Sequence, residues 1–135
     1  MPMTLALATR LAARVEARAE AGGVAVSLCV VDAGGNLVLH IRMDGAPLAA
    51  VDIAERKAYT AVALGRPTMD IAEDVLPGGS MYGFTSIRGG RYAAFGGGIP
   101  IHFEGTLAGA IGVSGALTQQ DIDIGEGALA DVGLA

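Results

Sequence analysis

A chain of 135 residues has room for one domain with a proper core and excludes a catalytic domain joined to a separate regulatory one. Hydrophobic residues make up 52% and charged residues 17%, below the usual share of about 25%, which excludes a disordered chain and predicts apolar surface that is covered by self-association into a homo-oligomer. With 9 basic against 14 acidic residues, a net charge of −5, no Trp and 4% aromatics, nucleic acid is excluded as a partner, whether as a phosphate backbone or as stacked single-stranded bases.

Between residues 5 and 21, Leu5, Ala8, Ala12, Val15 and Ala19 recur at three- and four-residue steps, with Arg10, Arg14 and Arg18 on the other side. This spacing predicts an amphipathic helix, stopped by Gly22-Gly23. The β-branched stretch 24–31, the turn residues Asp32-Ala33-Gly34-Gly35-Asn36 and the extended pattern over 37–43 predict a β-hairpin. Pro47 suits a helix start, and 48–64 is free of Gly and Pro, so a second helix closes at Gly65. Thr68 is placed to cap a short third helix reaching Val75, broken by Pro77-Gly78-Gly79-Ser80. Residues 76–98 hold eight glycines and read as a long shaped loop of the functional kind. Strands over 99–103 and 106–114 flank a tight turn at Glu104-Gly105, and a last helix runs from Thr118 towards Leu134, with Gly125 and Gly127 weakening its middle. The order is that of an α+β fold on an antiparallel sheet. No basic leader with an apolar run and cleavage site is visible, and no apolar run reaches the ~18 residues of a membrane span, so a cytoplasmic protein with no membrane partner is expected.

Five blocks of residues carry a resemblance. Val31-Asp32-Ala33-Gly34-Gly35-Asn36, Arg42-Met43-Asp44-Gly45-Ala46, Asp52-Ile53-Ala54 with Lys57-Ala58, Gly97-Gly98-Ile99-Pro100-Ile101 and Gly109-Ala110-Ile111-Gly112-Val113-Ser114-Gly115 together resemble the GlcG/HbpS family. This group of haem-binding or haem-degrading proteins also includes the C-terminal domain of PduO-type corrinoid adenosyltransferases. The resemblance spans nearly the whole chain. It implies a profilin-like α/β/α sandwich around a five-stranded antiparallel sheet, a homo-oligomer from dimer to octamer, and haem or a related tetrapyrrole as the ligand. An enzyme of small-molecule catabolism, performing isomerisation, hydrolysis or lactone opening on a carboxylated substrate, is the alternative.

The residues themselves offer several candidates. His40, Arg42 and Asp44 alternate along one strand and share a face, where Arg42 suits a carboxylate, His40 an acid/base or iron-ligand role, and Asp44 an orienting one. A solvated strand face with an Arg–Asp pair is the competing reading. Lys57, the sole lysine, lies among Ala54, Ala58 and Ala61, where it either holds a ligand carboxylate or neutralises a buried acid. His102 and Glu104 share a face of a later strand and offer two metal ligands, an acid/base pair, or a solvated strand end. For the haem that the resemblance implies, donor chemistry puts His40 and His102 forward as iron ligands, with Tyr82 and Tyr92 beside them, while the resemblance itself covers Arg42 and Asp44 and does not single out His40. Propionates suit Arg42, Lys57 or Arg91, with Gly97 and Gly98 close to the cofactor and Met81, Phe84 and Phe95 facing the macrocycle.

Other chemistries recede. Cys29 has no partner for a disulfide and sits in an apolar run. Gly112-Val113-Ser114-Gly115-Ala116 misses the nucleophile elbow by its last residue, and no His follows 102. A free amine on Pro2, as in tautomerases, lacks any supporting pattern. Twelve of the 21 glycines fall between Gly78 and Gly115, which predicts close backbone approach there and damage from Gly98→Val.

Overall fold

The computed structural model describes residues 2–134. Helix α1 (Leu5–Ala21) starts where Thr4 Oγ1 accepts the Leu7 N–H and ends at Gly22, burying Leu7, Leu11, Val15 and Ala19 along one stripe. Strands β1 (Ser27–Asp32) and β2 (Leu37–Arg42) form the expected hairpin, whose turn is fixed by the Asp32 carboxylate accepting the Gly34 and Asn36 N–H groups. Helix α2 (Leu48–Leu64) closes on Gly65 in the left-handed conformation at φ 70°. Strands β3 (Gly98–Phe103) and β4 (Thr106–Ser114) follow, joined by a two-residue turn at Glu104 and Gly105, both at positive φ, and helix α3 (Thr118–Asp131) ends the fold.

The sheet is antiparallel throughout, in the order β2-β1-β4-β3. Alternation along the strands sends Leu28, Val30, Ile101, Ile111 and Val113 to a core shared with α1 and α3. Cys29, Val31 and Ala110 go to the opposite face, against Ala54, Ala58 and Ala61 of α2. The sandwich of helices around a sheet is as expected, but the sheet has four strands and not five. Segment 76–97, between α2 and β3, folds into turns and short 3-10 pieces, in keeping with its reading as a shaped loop, and adds no strand among the described residues. Its glycines and Pro77 disfavour a ladder, and its backbone bonds to α2, where Ala93 N–H donates to Thr60 Oγ1 at 2.9 Å and the Gly90 carbonyl accepts from Arg56.

The short helix expected over 68–75 is likewise reduced to one 3-10 turn, Thr68–Ile71. Thr68 is not its cap. Its Oγ1 donates to the Phe95 carbonyl at 2.6 Å and accepts the Gly98 N–H at 2.9 Å, so it ties the glycine-rich segment to the start of β3.

Helix α2 sits unusually close to the strands. A Cβ on Gly112 would strike the Ala54 carbonyl oxygen and lie 2.7 Å from Ala58 N, and one on Gly98 would strike the Lys57 carbonyl oxygen and lie 2.6 Å from Thr68 Cγ2. On the other side of the sheet, α1 and α3 are joined by Arg14 and Arg18, both bonded to Asp131 at 2.7–3.0 Å. The two glycines inside α3 mark such approaches too: Gly125 faces Ile99, and Gly127 leaves room for the Arg18 guanidinium. Among the described residues no helix is long and apolar enough to cross a membrane.

Gly98→Val must displace α2 backbone and Thr68 together, and is expected to cost about 3 kcal/mol in denaturant unfolding. Gly22→Ala, where φ is −85° and the nearest atom to a new Cβ is 3.5 Å away, is expected to stay within about 0.5 kcal/mol of the parent.

Candidate functional site

Strand β2 is an edge strand, and α2 lies over β1, β4 and β3 while barely reaching it. His40 and Arg42, opposite Cys29 and Ser27 in the register, therefore point from the α2 side of the sheet into a margin that the helix does not cover. The His40 imidazole is half-buried, and its Nε2 is fully buried without a hydrogen-bond partner among the described residues. Burial lowers its pKa, opposed by the nearby charge of Glu55, so the ring is neutral at pH 7. Next to it the thiol of Cys29 is pushed up to about 12 by burial and by Glu55, with Arg91 acting the other way, which leaves it an inert thiol.

The His40, Arg42 and Asp44 constellation does not converge. Arg42 is exposed and its Nε donates to the Ala46 carbonyl at 3.1 Å, so the expected Arg–Asp pair is absent among the described residues. Asp44 lies beyond the strand end. Both border an open cleft of about 570 Å³ whose far wall carries Glu16 and Glu20 of α1.

Lys57 is 2% exposed. Its ammonium donates to the Val113 carbonyl at 2.7 Å and to Asp121 at 3.2 Å, an acid of α3 that is itself 3% exposed and that accepts the Ala116 N–H at 3.0 Å. Burial pushes the lysine down and the acid up, and their mutual attraction opposes both shifts. The lysine therefore meets a buried acid of its own chain. Gly97 and Gly98, which the resemblance places near a cofactor, are buried here against protein: a Cβ on Gly97 would lie 2.8 Å from Lys57 Nζ.

His102 and Glu104 are exposed, Glu104 in the β3–β4 turn at φ 49°. His102 stands on the edge strand opposite to that of His40, three strand spacings across the sheet and four residues along it from Gly98, which shares the row of His40. At about 4.8 Å per strand and 3.3 Å per residue, the two imidazoles of one chain are too far apart to share an iron. No group of three or more His, Cys, Asp or Glu suited to a metal ion occurs among the described residues.

The glycine-rich segment contributes aromatic groups. Phe84 stacks on Tyr92 at 4.3 Å, Tyr92 tilts against Tyr59 of α2 at 5.8 Å, and the Arg91 guanidinium lies 4.0 Å over the Tyr59 ring. Met81 is half-buried nearby in sequence, whereas Tyr82 and Phe95 are 69% and 57% exposed. Sequence reasoning missed Tyr59, Glu55 and Asp121. An acid at position 121, one helical turn before the apolar Ile124 and two before Ala128, carried a signal of a buried carboxylate that needs a base.

Lys57→Met is expected to destabilise the chain by about 3–5 kcal/mol in denaturant unfolding, because it strands the Asp121 carboxylate; adding Asp121→Asn restores part of that loss. For His40 the folded pKa lies below the unfolded value of 6.5, so the unfolded chain takes up the proton first. Stability is then complete above about pH 6.5 and declines as pH falls, and this decline is expected to flatten in His40→Phe, read from melting temperatures across pH.

Comparison with known proteins agrees with this architecture over its full length. A family model, "Haem degrading protein HbpS-like", matches residues 3–130. An uncharacterised 15.0 kDa protein from the dhaT-dhaS intergenic region of Citrobacter freundii is 44% identical over 127 residues, covering 94% of this chain and 89% of that protein. The corrinoid adenosyltransferase PduO of the same organism is 40% identical over 84% of this chain, which spans only 34% of the transferase. The crystal structure of the PduOC:heme complex superposes with a TM-score of 0.96 at 32% identity, covering 100% of this chain and 98% of the other. The match of family model, sequence and fold over one continuous domain makes this chain a member of the HbpS-like family.

Proposed function

We propose that this chain is a small-ligand-binding protein that takes haem or a related tetrapyrrole at the open margin beside β2 and α2. The observation that carries the reading is the end-to-end likeness to PduOC, a protein crystallised with haem. The residues present fit such a group in chemistry. His40 offers a neutral imidazole, a good donor to iron, whose Nε2 has no partner among the described residues and, being buried, has to be uncovered for ligation. Arg91, over Tyr59 beside this margin, and Arg42, which by register shares the His40 face but borders the cleft towards α1, are cations that suit propionates. Haem, if bound, would supply a redox-capable iron. What this chain supplies is one nitrogen, cationic partners for the carboxylates and the apolar edge of Leu37 and Tyr59.

The clefts bordering this margin are open to solvent in a single copy. We therefore assign their cover to another copy in a homo-oligomer, as the charge-poor composition also favours. A free buried cysteine accords with a reducing, cytoplasmic setting.

Hemin titration followed at the Soret band tests this. A saturable shift is expected, greatly weakened in His40→Ala and unchanged in His102→Ala. In addition, binding should hold constant above pH 6.5 and fall only at lower pH, because burial resists protonation of His40. No saturable shift, or one indifferent to both histidines, sinks ligation by these residues.

A further inference from the structure

Two arginines of the chain are half-buried, Arg56 and Arg91, and they differ in what they touch. Arg56 is bonded to Asp52 and to the Gly90 carbonyl. The Arg91 side chain has no hydrogen-bond or ion-pair partner among the described residues and is held by stacking over Tyr59 at 4.0 Å. Stacking fixes the plane of a guanidinium while leaving the N–H groups on its edge free to donate. Arg91 borders a cleft of about 230 Å³ that is also lined by Val31, Gly35, Asn36, Leu37, Glu55 and Tyr59.

The cleft is built into the fold. Gly35, at φ 80°, lets the Tyr59 ring come within 3.2 Å of where a Cβ would stand, so the ring is seated between the β1–β2 turn and Arg91. Asn36 has its amide nitrogen committed to Asp32, which leaves its side-chain oxygen as an acceptor. Glu55 adds a carboxylate with no ion-pair partner among the described residues. One unspent fork of donors and two acceptors line the same space, which is too small for a drug-sized molecule.

We propose that the Arg91–Tyr59 cleft is a carboxylate-binding site, in which Arg91 takes the carboxylate as a two-pronged donor and Glu55 with Asn36 accepts a hydroxyl or ammonium hydrogen of the same ligand. The ligand class is a small hydroxy or amino acid. The carboxylate has a second chemical source, a propionate of the tetrapyrrole proposed above. The site extends that reading in this case, and stands without it when the acid is free.

Calorimetric titration with L-lactate and with neutral lactamide, together with Soret titration by hemin and hemin dimethyl ester, separates the sources. A free acid as ligand gives saturable lactate binding, no lactamide binding, and at least about a tenfold loss in Arg91→Gln. A propionate as ligand gives the same loss for hemin and none for its dimethyl ester. Arg91→Lys keeps the charge without the fork and is expected to recover only part of either affinity. In the wild-type protein the Arg91 Nε–H resonance must move on addition of the active carboxylate, a readout that needs no variant to fold. Lactate and hemin affinities that are unchanged in Arg91→Gln and Arg91→Lys, or an unmoved Arg91 resonance, overturn the proposal. Arg91-dependent lactate binding with no Soret shift overturns the haem reading alone.

Discussion

The seat of α2 on the sheet governs the rest of the molecule. Three strand positions facing the helix, Gly98, Gly112 and Ala110, carry almost no side chain, and the helix answers with Ala54, Ala58 and Ala61. Small residues on both surfaces bring the backbones so near that no Cβ fits at Gly112. That nearness gives up most of the apolar area that large side chains would bury, so α2 needs a second cover. Segment 76–97 provides it, using Thr60, Arg56 and Tyr59 on the outer side of the helix as points of attachment.

The same close approach explains the buried charge pair of Lys57 and Asp121. With α2 so near the strands, Lys57 spans from the helix to the Val113 carbonyl and to Asp121 in α3, bringing three elements to a single ammonium group. Such a pair adds little net stability, because two ions have left water, but it is intolerant of misalignment. It fixes how far α2 slides along the sheet and how α3 begins. By fixing α2, it also fixes which side chains reach the β2 margin, where Glu55 and Tyr59 face His40 and the β1–β2 turn.

Much of this was legible in the residues. Apolar steps of three and four ended by glycine place α1 over 5–21, a proline start and a stretch free of Gly and Pro up to Gly65 place α2 over 48–64, and strand patterns with turn chemistry give both hairpins. What escaped was set by contacts distant in sequence. Thr68 has the residue type of a cap, but its hydroxyl is taken by Phe95 and Gly98, so the short helix never extends. His40 and His102 look like a pair in one dimension and are parted by the strand order. Lys57 finds its acid 64 positions later, and Arg91 finds Tyr59 only once the glycine-rich segment has crossed the helix. The implied fifth strand has no counterpart among the described residues: the segment between α2 and β3 closes its backbone groups in turns of its own and ties Gly90 and Ala93 to α2 rather than to the sheet.

The row of Phe84, Tyr92 and Tyr59 has an optical consequence. The chain contains three tyrosines and no tryptophan, so tyrosine emission is not drained into an indole. Two of the three emitters stand where the glycine-rich segment meets α2, one of them under the Arg91 cation. The unlabelled protein therefore carries its own fluorescent gauge of that seam, and lifting of the segment from the helix changes the surroundings of most of its fluorophores at once.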